Sequence, residues 1–270
     1  MWRTASGLSA LAAVATVLVS VIGLIATLGD DDAPTRAIPS GVGVSNEQTP
    51  PSDVPPALTR TIFSDSLEDA SSGFEAFPSA TGCSSAYEGH YHVGVDVPEG
   101  DASGPFCIER SRVGELEGLE HVRVEVTARW IELPPRDYGD AGRSAVGLTC
   151  YSSGLADSGT HYEAIVTTNG TWAIDRQFGG DDTVDSLDRG RRSDGWTMET
   201  GDLARLRLDC WAQDDGVFVE FWVDGQRLGR GFDPEPLPPS GIGLLVWGFS
   251  EGRAEAEFSD LVVYGDGATA

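Results

Sequence analysis

Apolar and polar positions follow three successive patterns along the chain. Residues 7–28 carry no charge and are dominated by Leu, Val, Ile and Ala, a run as long as a helix needs to cross about 30 Å of hydrocarbon. Residues 30–57 hold six prolines among Ser, Thr, Gly and Asp and show no apolar period, the composition of a spacer. From residue 58 onward the period becomes two. Val122, Val124, Val126, Ala128 and Trp130 alternate with Arg123, Glu125, Thr127 and Arg129, as in a strand with one buried face. No helical stripe recurs after Leu28. The expected organisation is an anchor over 1–29, a spacer over 30–57 and one all-β domain over 58–270.

Turn signals divide the strands. Asn169-Gly170 separates residues 162–168 from 171–176, and Asp224-Gly225 ends the run 217–223; both dipeptides favour hairpin turns. Joining residues 204–213 to 216–223 through Asp214-Asp215 fixes a register. Leu206, Leu208 and Cys210 then oppose Val223, Phe221 and Val219, while Arg207 faces Trp222, Asp209 faces Glu220 and Trp211 faces Phe218. A one-residue slip would set apolar against polar residues on both faces. Asp209 against Glu220 is unfavourable unless a cation, an arginine or a ligand hydroxyl lies between. Near the end of the chain, Ala254, Ala256 and Phe258 alternate with charged residues but Leu261 and Val263 continue on the wrong parity, which predicts a bulge at Ser259-Asp260. Residues 241–249 are apolar on both faces, as in a central strand or one facing a groove.

Charge narrows the function. The chain of 270 residues carries 43 acidic and 18 basic residues, a net of −25, and every basic residue is Arg. Without a basic cluster to neutralise phosphates, nucleic acid is excluded as a partner. The absent lysine matches GC-rich coding. Arg3 before the apolar run and Asp30, Asp31 and Asp32 after it orient the segment with its N-terminus in the cytoplasm, so the domain lies outside a single-pass cell-membrane anchor. A cleaved signal peptide is the rival, but its apolar core is usually about 7–15 residues long. Four cysteines, Cys83, Cys107, Cys150 and Cys210, fall in the exported part and argue for disulfides. Of the three connectivities, Cys83 with Cys107 and Cys150 with Cys210 is favoured because each pair fits on neighbouring strands.

Several segments resemble a known family. Ile62-Phe63-Ser64-Asp65 with Gly73-Phe74, Tyr87-Glu88-Gly89-His90-Tyr91, Gly147-Leu148-Thr149-Cys150, Asn169-Gly170-Thr171-Trp172, Gly241-Ile242-Gly243-Leu244 and Phe258-Ser259-Asp260-Leu261-Val262-Val263 follow one another as in the concanavalin A-like lectin/glucanase superfamily. They look most like the laminin G-like modules carried outside bacterial membranes behind an anchor. The resemblance spans about residues 60–264. It implies a jelly-roll sandwich of two antiparallel sheets with the first and last strands adjacent, and carbohydrate or a cell-envelope polymer as ligand. It also implies a structural Ca²⁺ tying the first strand to the last, at Asp65 and Asp260; turn capping by both aspartates is the competing account.

The glycosidase signature E-x-D-x-E is missing. Retaining hydrolysis needs two carboxyl groups about 5–5.5 Å apart, and the nearest pairs, Glu255 with Glu257 and Glu115 with Glu117, read as solvated faces. Carboxylates gathered from different strands would not be visible in such spacing. His90 and His92 alternate and could take a metal with His161, but without a carboxylate or cysteine partner fixed by spacing, surface histidines are the preferred account. No nucleophile elbow or phosphate loop is present, and the sequon Asn169-Gly170-Thr171 doubles as a hairpin turn. The expected function is therefore a membrane-anchored, non-catalytic glycan-binding module. Trp211, Trp222, Arg207 and Glu220 supply the outward-facing site, because sugar rings stack on aromatics. A hydrolase of the same fold, or an ectodomain contacting protein partners, is the alternative.

Overall fold

The computed structural model describes residues 58, 60–70, 73–76, 82–99, 106–110, 119–135, 144–153, 159–178 and 183–266. The expected anchor at 1–29 and spacer at 30–57 lie outside the described residues. Among the described residues no helix is long and apolar enough to cross a membrane.

The described chain is all β. Sheet A joins β12 (Gln226–Asp233), β11 (Gly216–Val223), β10 (Leu203–Gln213), β5 (His121–Glu132), β14 (Gly252–Gly265), β3 (Tyr91–Val97) and β2 (Cys83–Tyr87) in that order, with β1 (Thr61–Asp65) also paired to β14. Sheet B runs β4 (Phe106–Arg110), β13 (Gly241–Trp247), β6 (Ala145–Ser152), β7 (His161–Thr167), β8 (Thr171–Phe178) and β9 (Thr183–Arg191). Every pairing is antiparallel. The inner faces meet in one core that includes Val124, Val126 and Trp130 from β5, Leu206 and Leu208 from β10, and Tyr162, Ala164 and Ile174 from sheet B. The chain is thus a two-sheet β-sandwich.

Period-two patterning accounts for most of this. β5 alternates half-buried and buried positions along ten residues, with Val122 through Trp130 inward. The β10/β11 register has Leu206 against Val223, Arg207 against Trp222, Asp209 against Glu220 and Trp211 against Phe218, as the pairing of like faces requires. The bulge on β14 falls between Ser259 and Val262, and Asp260 takes a positive φ of 55° there. At the β11/β12 turn Asp224 (φ 53°) and Gly225 (φ 77°) are both left-handed, as a type I′ hairpin demands.

The β7/β8 turn differs from expectation. Val166 pairs with Trp172, so the loop has three residues, 168–170, and not two. Thr168 folds into the turn, where Gly170 N–H donates to Thr167 O, and Gly170 takes the positive φ of 82° that such a loop needs. That added residue changes which side chains of β7 and β8 oppose each other.

Both disulfides have the favoured connectivity, Cys83–Cys107 and Cys150–Cys210. They do not join neighbouring strands of one sheet. Cys83 on β2 and Cys107 on β4, like Cys150 on β6 and Cys210 on β10, lie on opposite sheets. Each bridge spans the sandwich.

Candidate functional site

On the outer face of sheet A, the tryptophan site predicted between β10 and β11 is half realised. Trp211 is 1% exposed and stacked on Phe218 at 5.2 Å between ring centroids. Glu220 is also 1% exposed; it accepts from Arg227 Nη1 at 3.0 Å, Arg230 Nε at 2.6 Å and Trp222 Nε1 at 3.3 Å. Asp209 is held in the same way by Arg123 and Arg207. Arginines therefore separate the two opposed acids, which removes the repulsion that a direct Asp209–Glu220 contact would carry. Burial still pushes the Asp209 carboxyl up, against the pull of those arginines. Trp222 and Arg207 do face a groove of about 460 Å³, shared with Arg205, Glu125 and Asp224, and the Arg207 guanidinium lies 4.8 Å from the Trp222 ring. Trp211 and Glu220 lie beneath that surface, where packing and charge pairing occupy them.

The remaining sequence candidates separate in space. His92 and His161 belong to opposite sheets. His92 is held by Glu255 at 2.7 Å, with Glu257 3.4 Å from its other nitrogen; Glu255 and Glu257 are further tied to Arg253 and Arg129. Asp65 pairs in register with Leu261, beside Asp260, but one Asp65 oxygen accepts the Leu67 N–H at 2.6 Å as a turn cap. Among the described residues no three His, Cys, Asp or Glu side chains gather as metal ligands. Asn169 is 6% exposed and its carboxamide oxygen accepts from Thr171 N–H and Thr167 Oγ1, the role of a turn residue. Glu115 and Glu117 lie outside the described residues.

A second polar site, absent from the sequence reading, lies on the outer face of sheet B. Strand pairings set Thr149, Glu163, Asp175 and Ser186 in one row across β6, β7, β8 and β9. His161 and Gln177 form the next row on one side, and Gly147, Ile165, Ala173 and Arg189 on the other. The same face continues as an apolar patch of Ile108, Ala145, Ile165 and Leu245, with Trp247 and Phe249 stacked 5.2 Å apart against it. One face is thus polar at one end and apolar and aromatic at the other.

The polar end is buried and incompletely hydrogen-bonded. Glu163 is 1% exposed; one oxygen accepts from Gln177 Nε2 at 3.0 Å, while Oε2 has no hydrogen-bond partner. His161 Nε2 stands 3.5 Å from that oxygen without a hydrogen bond, and Thr149 Oγ1 also makes none. His161 Nδ1 approaches the Gly159 carbonyl at 3.3 Å. A carbonyl only accepts, so Nδ1 carries a hydrogen there. Burial, the larger cause, and the Glu163 charge push the Asp175 carboxyl above the usual aspartate value, while Ser186 and Arg189 pull it down. Buried polar groups without a hydrogen bond beside a shifted carboxyl mark a candidate ligand-binding or catalytic site. Asp175 opens onto a groove of about 560 Å³ that also meets Ile165, Thr167, Ala173, Arg189 and Phe249.

The missed pair follows from the turn. A two-residue Asn169-Gly170 loop would set Glu163 opposite Arg176; the three-residue loop sets it opposite Asp175. The hairpin arithmetic that succeeds at β10/β11 fails here by one residue, and one residue exchanges faces.

No family model matches the chain. No curated protein matches it. Among solved structures it is similar to the carbohydrate-binding module CBM66 from Bacillus subtilis, with 15% identity over 72% of this chain and 96% of that one and a TM-score of 0.48. A Bacillus licheniformis β-glucanase gives 11%, 76%, 97% and 0.47, and a protein of galectin-like fold from Bacillus subtilis gives 12%, 76%, 96% and 0.48. Likeness at this level assigns no ligand, and the site rests on its own geometry.

Proposed function

We propose that the chain is a membrane-anchored extracytoplasmic module that binds carbohydrate or a cell-envelope polymer on the outer face of sheet B. One observation carries the reading: buried oxygen and nitrogen atoms of Thr149, His161 and Glu163 that make no hydrogen bond, two of them facing each other at 3.5 Å, share a face with an apolar floor ending at Phe249. Sugars present that combination, hydroxyl groups that donate and accept around apolar ring faces. The uncharged run at 7–28 supports the anchor and the two disulfides support an oxidising compartment. The test is binding of the full chain in detergent to a glycan array. Glu163→Gln and Thr149→Val should each weaken retention at least about tenfold with the melting temperature maintained; unchanged retention in both variants overturns the assignment of the face.

A second reading, hydrolysis, is favoured by the opposition of Glu163 and Asp175. Directly opposed residues have Cβ atoms about 4.5–5.5 Å apart, which brings two carboxyl groups into the range that glycoside hydrolysis uses. Release of reducing ends from a bound glycan, lost in Asp175→Asn, separates this reading from binding alone.

A further inference from the structure

Arg189 differs from the arginines on the outer face of sheet A. Arg123, Arg207, Arg227 and Arg230 are each held on a buried carboxylate. Arg189, on the rim of the sheet B groove, joins no ion pair among the described residues; its Nε donates to Ser186 Oγ at 3.0 Å, and its two terminal nitrogens meet no carboxylate among the described residues. Arg189 shares the groove with Asp175, whose carboxyl its charge pulls down, but forms no direct ion pair with it, so the guanidinium can still take an anion. The Nη pair of a guanidinium matches the two oxygens of a carboxylate.

The groove also suits a sugar ring attached to that anion. Thr167 and Thr171 offer hydroxyls along it, and Ile165, Ala173 and Phe249 provide an apolar surface. Asp175 is the one carboxylate lining it, and Ser186 connects it to Arg189 by hydrogen bonding to both. We propose that this groove takes a carboxylate-bearing sugar, a uronate unit of a polysaccharide, with Arg189 as the carboxylate anchor and Asp175 facing the sugar hydroxyls. The inference rests on the glycan-binding reading above and names the class of sugar.

Protonation sets the sign of the pH dependence. Among the described residues the charged or titratable groups facing Asp175 are Glu163, with His161 beyond it, from β7 and Arg189 from β9; Thr149 of β6 adds no charge. Burial and Glu163 favour the neutral acid. Once Asp175 ionises it opposes the ligand carboxylate, so affinity falls as pH rises.

The experiment is calorimetric titration of the full chain in detergent with oligomers of galacturonate, mannuronate and glucuronate and with their methyl esters, at about pH 5 and about pH 7.5. At least one acid oligomer should bind about tenfold or more tightly than its ester, more tightly at the lower pH. Arg189→Gln should erase the preference, and Arg189→Lys should retain part of it. Equal binding of acid and ester, or a preference that survives Arg189→Gln, overturns the uronate anchor while glycan binding stands. Failure of every acid oligomer overturns the proposal whatever neutral glycans do, and failure of the neutral glycans as well removes the glycan-binding reading with it.

Discussion

Glu163 on β7 stands directly opposite Asp175 on β8, two carboxylates paired across strands on one face of sheet B. The cost of the pairing is visible in Asp175, which burial, then Glu163, pushes toward its neutral form. A carboxyl whose folded value is raised contributes stability that is complete below its unfolded value and is lost as pH rises through the folded one. Asp175→Asn should therefore melt above the unmodified protein at neutral pH, the difference closing as pH falls through about 4. Thermal melts over that range decide it: a variant that melts lower at neutral pH means that the charged aspartate is stabilising and that the Asp175 environment is misread.

Trp211 looks like a sugar platform in the sequence and behaves as core in the fold. Its neighbours are the Phe218 ring at 5.2 Å and the Arg230 guanidinium at 5.6 Å. Trp211→Ala should cost about 3–5 kcal/mol, the range for emptying a buried aromatic site. Trp222 is half-buried, and its loss should cost about 1 kcal/mol, mainly the stacking of Arg207. Denaturant titration of the two variants measures both. Similar small losses would return Trp211 to the surface.

Glu220 bears on stability for a different reason. It gathers Arg227, Arg230 and the Trp222 indole N–H, so its removal leaves two arginines repelling each other and a buried donor unpaired. Glu220→Ala should destabilise the sandwich by about 2–3 kcal/mol; Glu220→Gln, which can still accept, should cost less. If the two variants unfold at the same denaturant concentration as the unmodified chain, the network is cosmetic and Glu220 is released for a ligand role.

The β10/β11 half of the molecule was legible because both of its faces carry a pattern. The apolar face admits one register, and the polar face then puts Asp209 opposite Glu220. What alternation could not supply was the arginine from β5 and the pair from β12 that cap those acids, because contacts between different strands depend on sheet order. The same ambiguity hid the sheet B site: β7 reads HYEAIVT and is buried at six of its seven positions, so its two faces look alike and alternation cannot pin its register. The turn had to do so, and Asn-Gly there belongs to a three-residue loop. The β14 bulge was legible because its parity error is internal to one strand.

The two disulfides differ in what they restrain. Cys150–Cys210 closes a separation of 60 residues and joins β6 to β10 with both cysteines fully buried, whereas Cys83–Cys107 closes 24 residues and joins β2 to β4, outer strands in the order of their sheets. Loop-closure entropy predicts a contribution of about 4 kcal/mol for the longer loop and about 3.5 kcal/mol for the shorter. Replacing Cys150 and Cys210 by Ala also leaves vacant volume between Leu148, Leu208 and Val219 in the core, which adds to the loss. The Cys150→Ala/Cys210→Ala double variant should therefore unfold at a lower denaturant concentration than Cys83→Ala/Cys107→Ala, by more than the entropy difference alone. The reverse order would mean that the β2–β4 edge, and not the centre of the sandwich, limits stability.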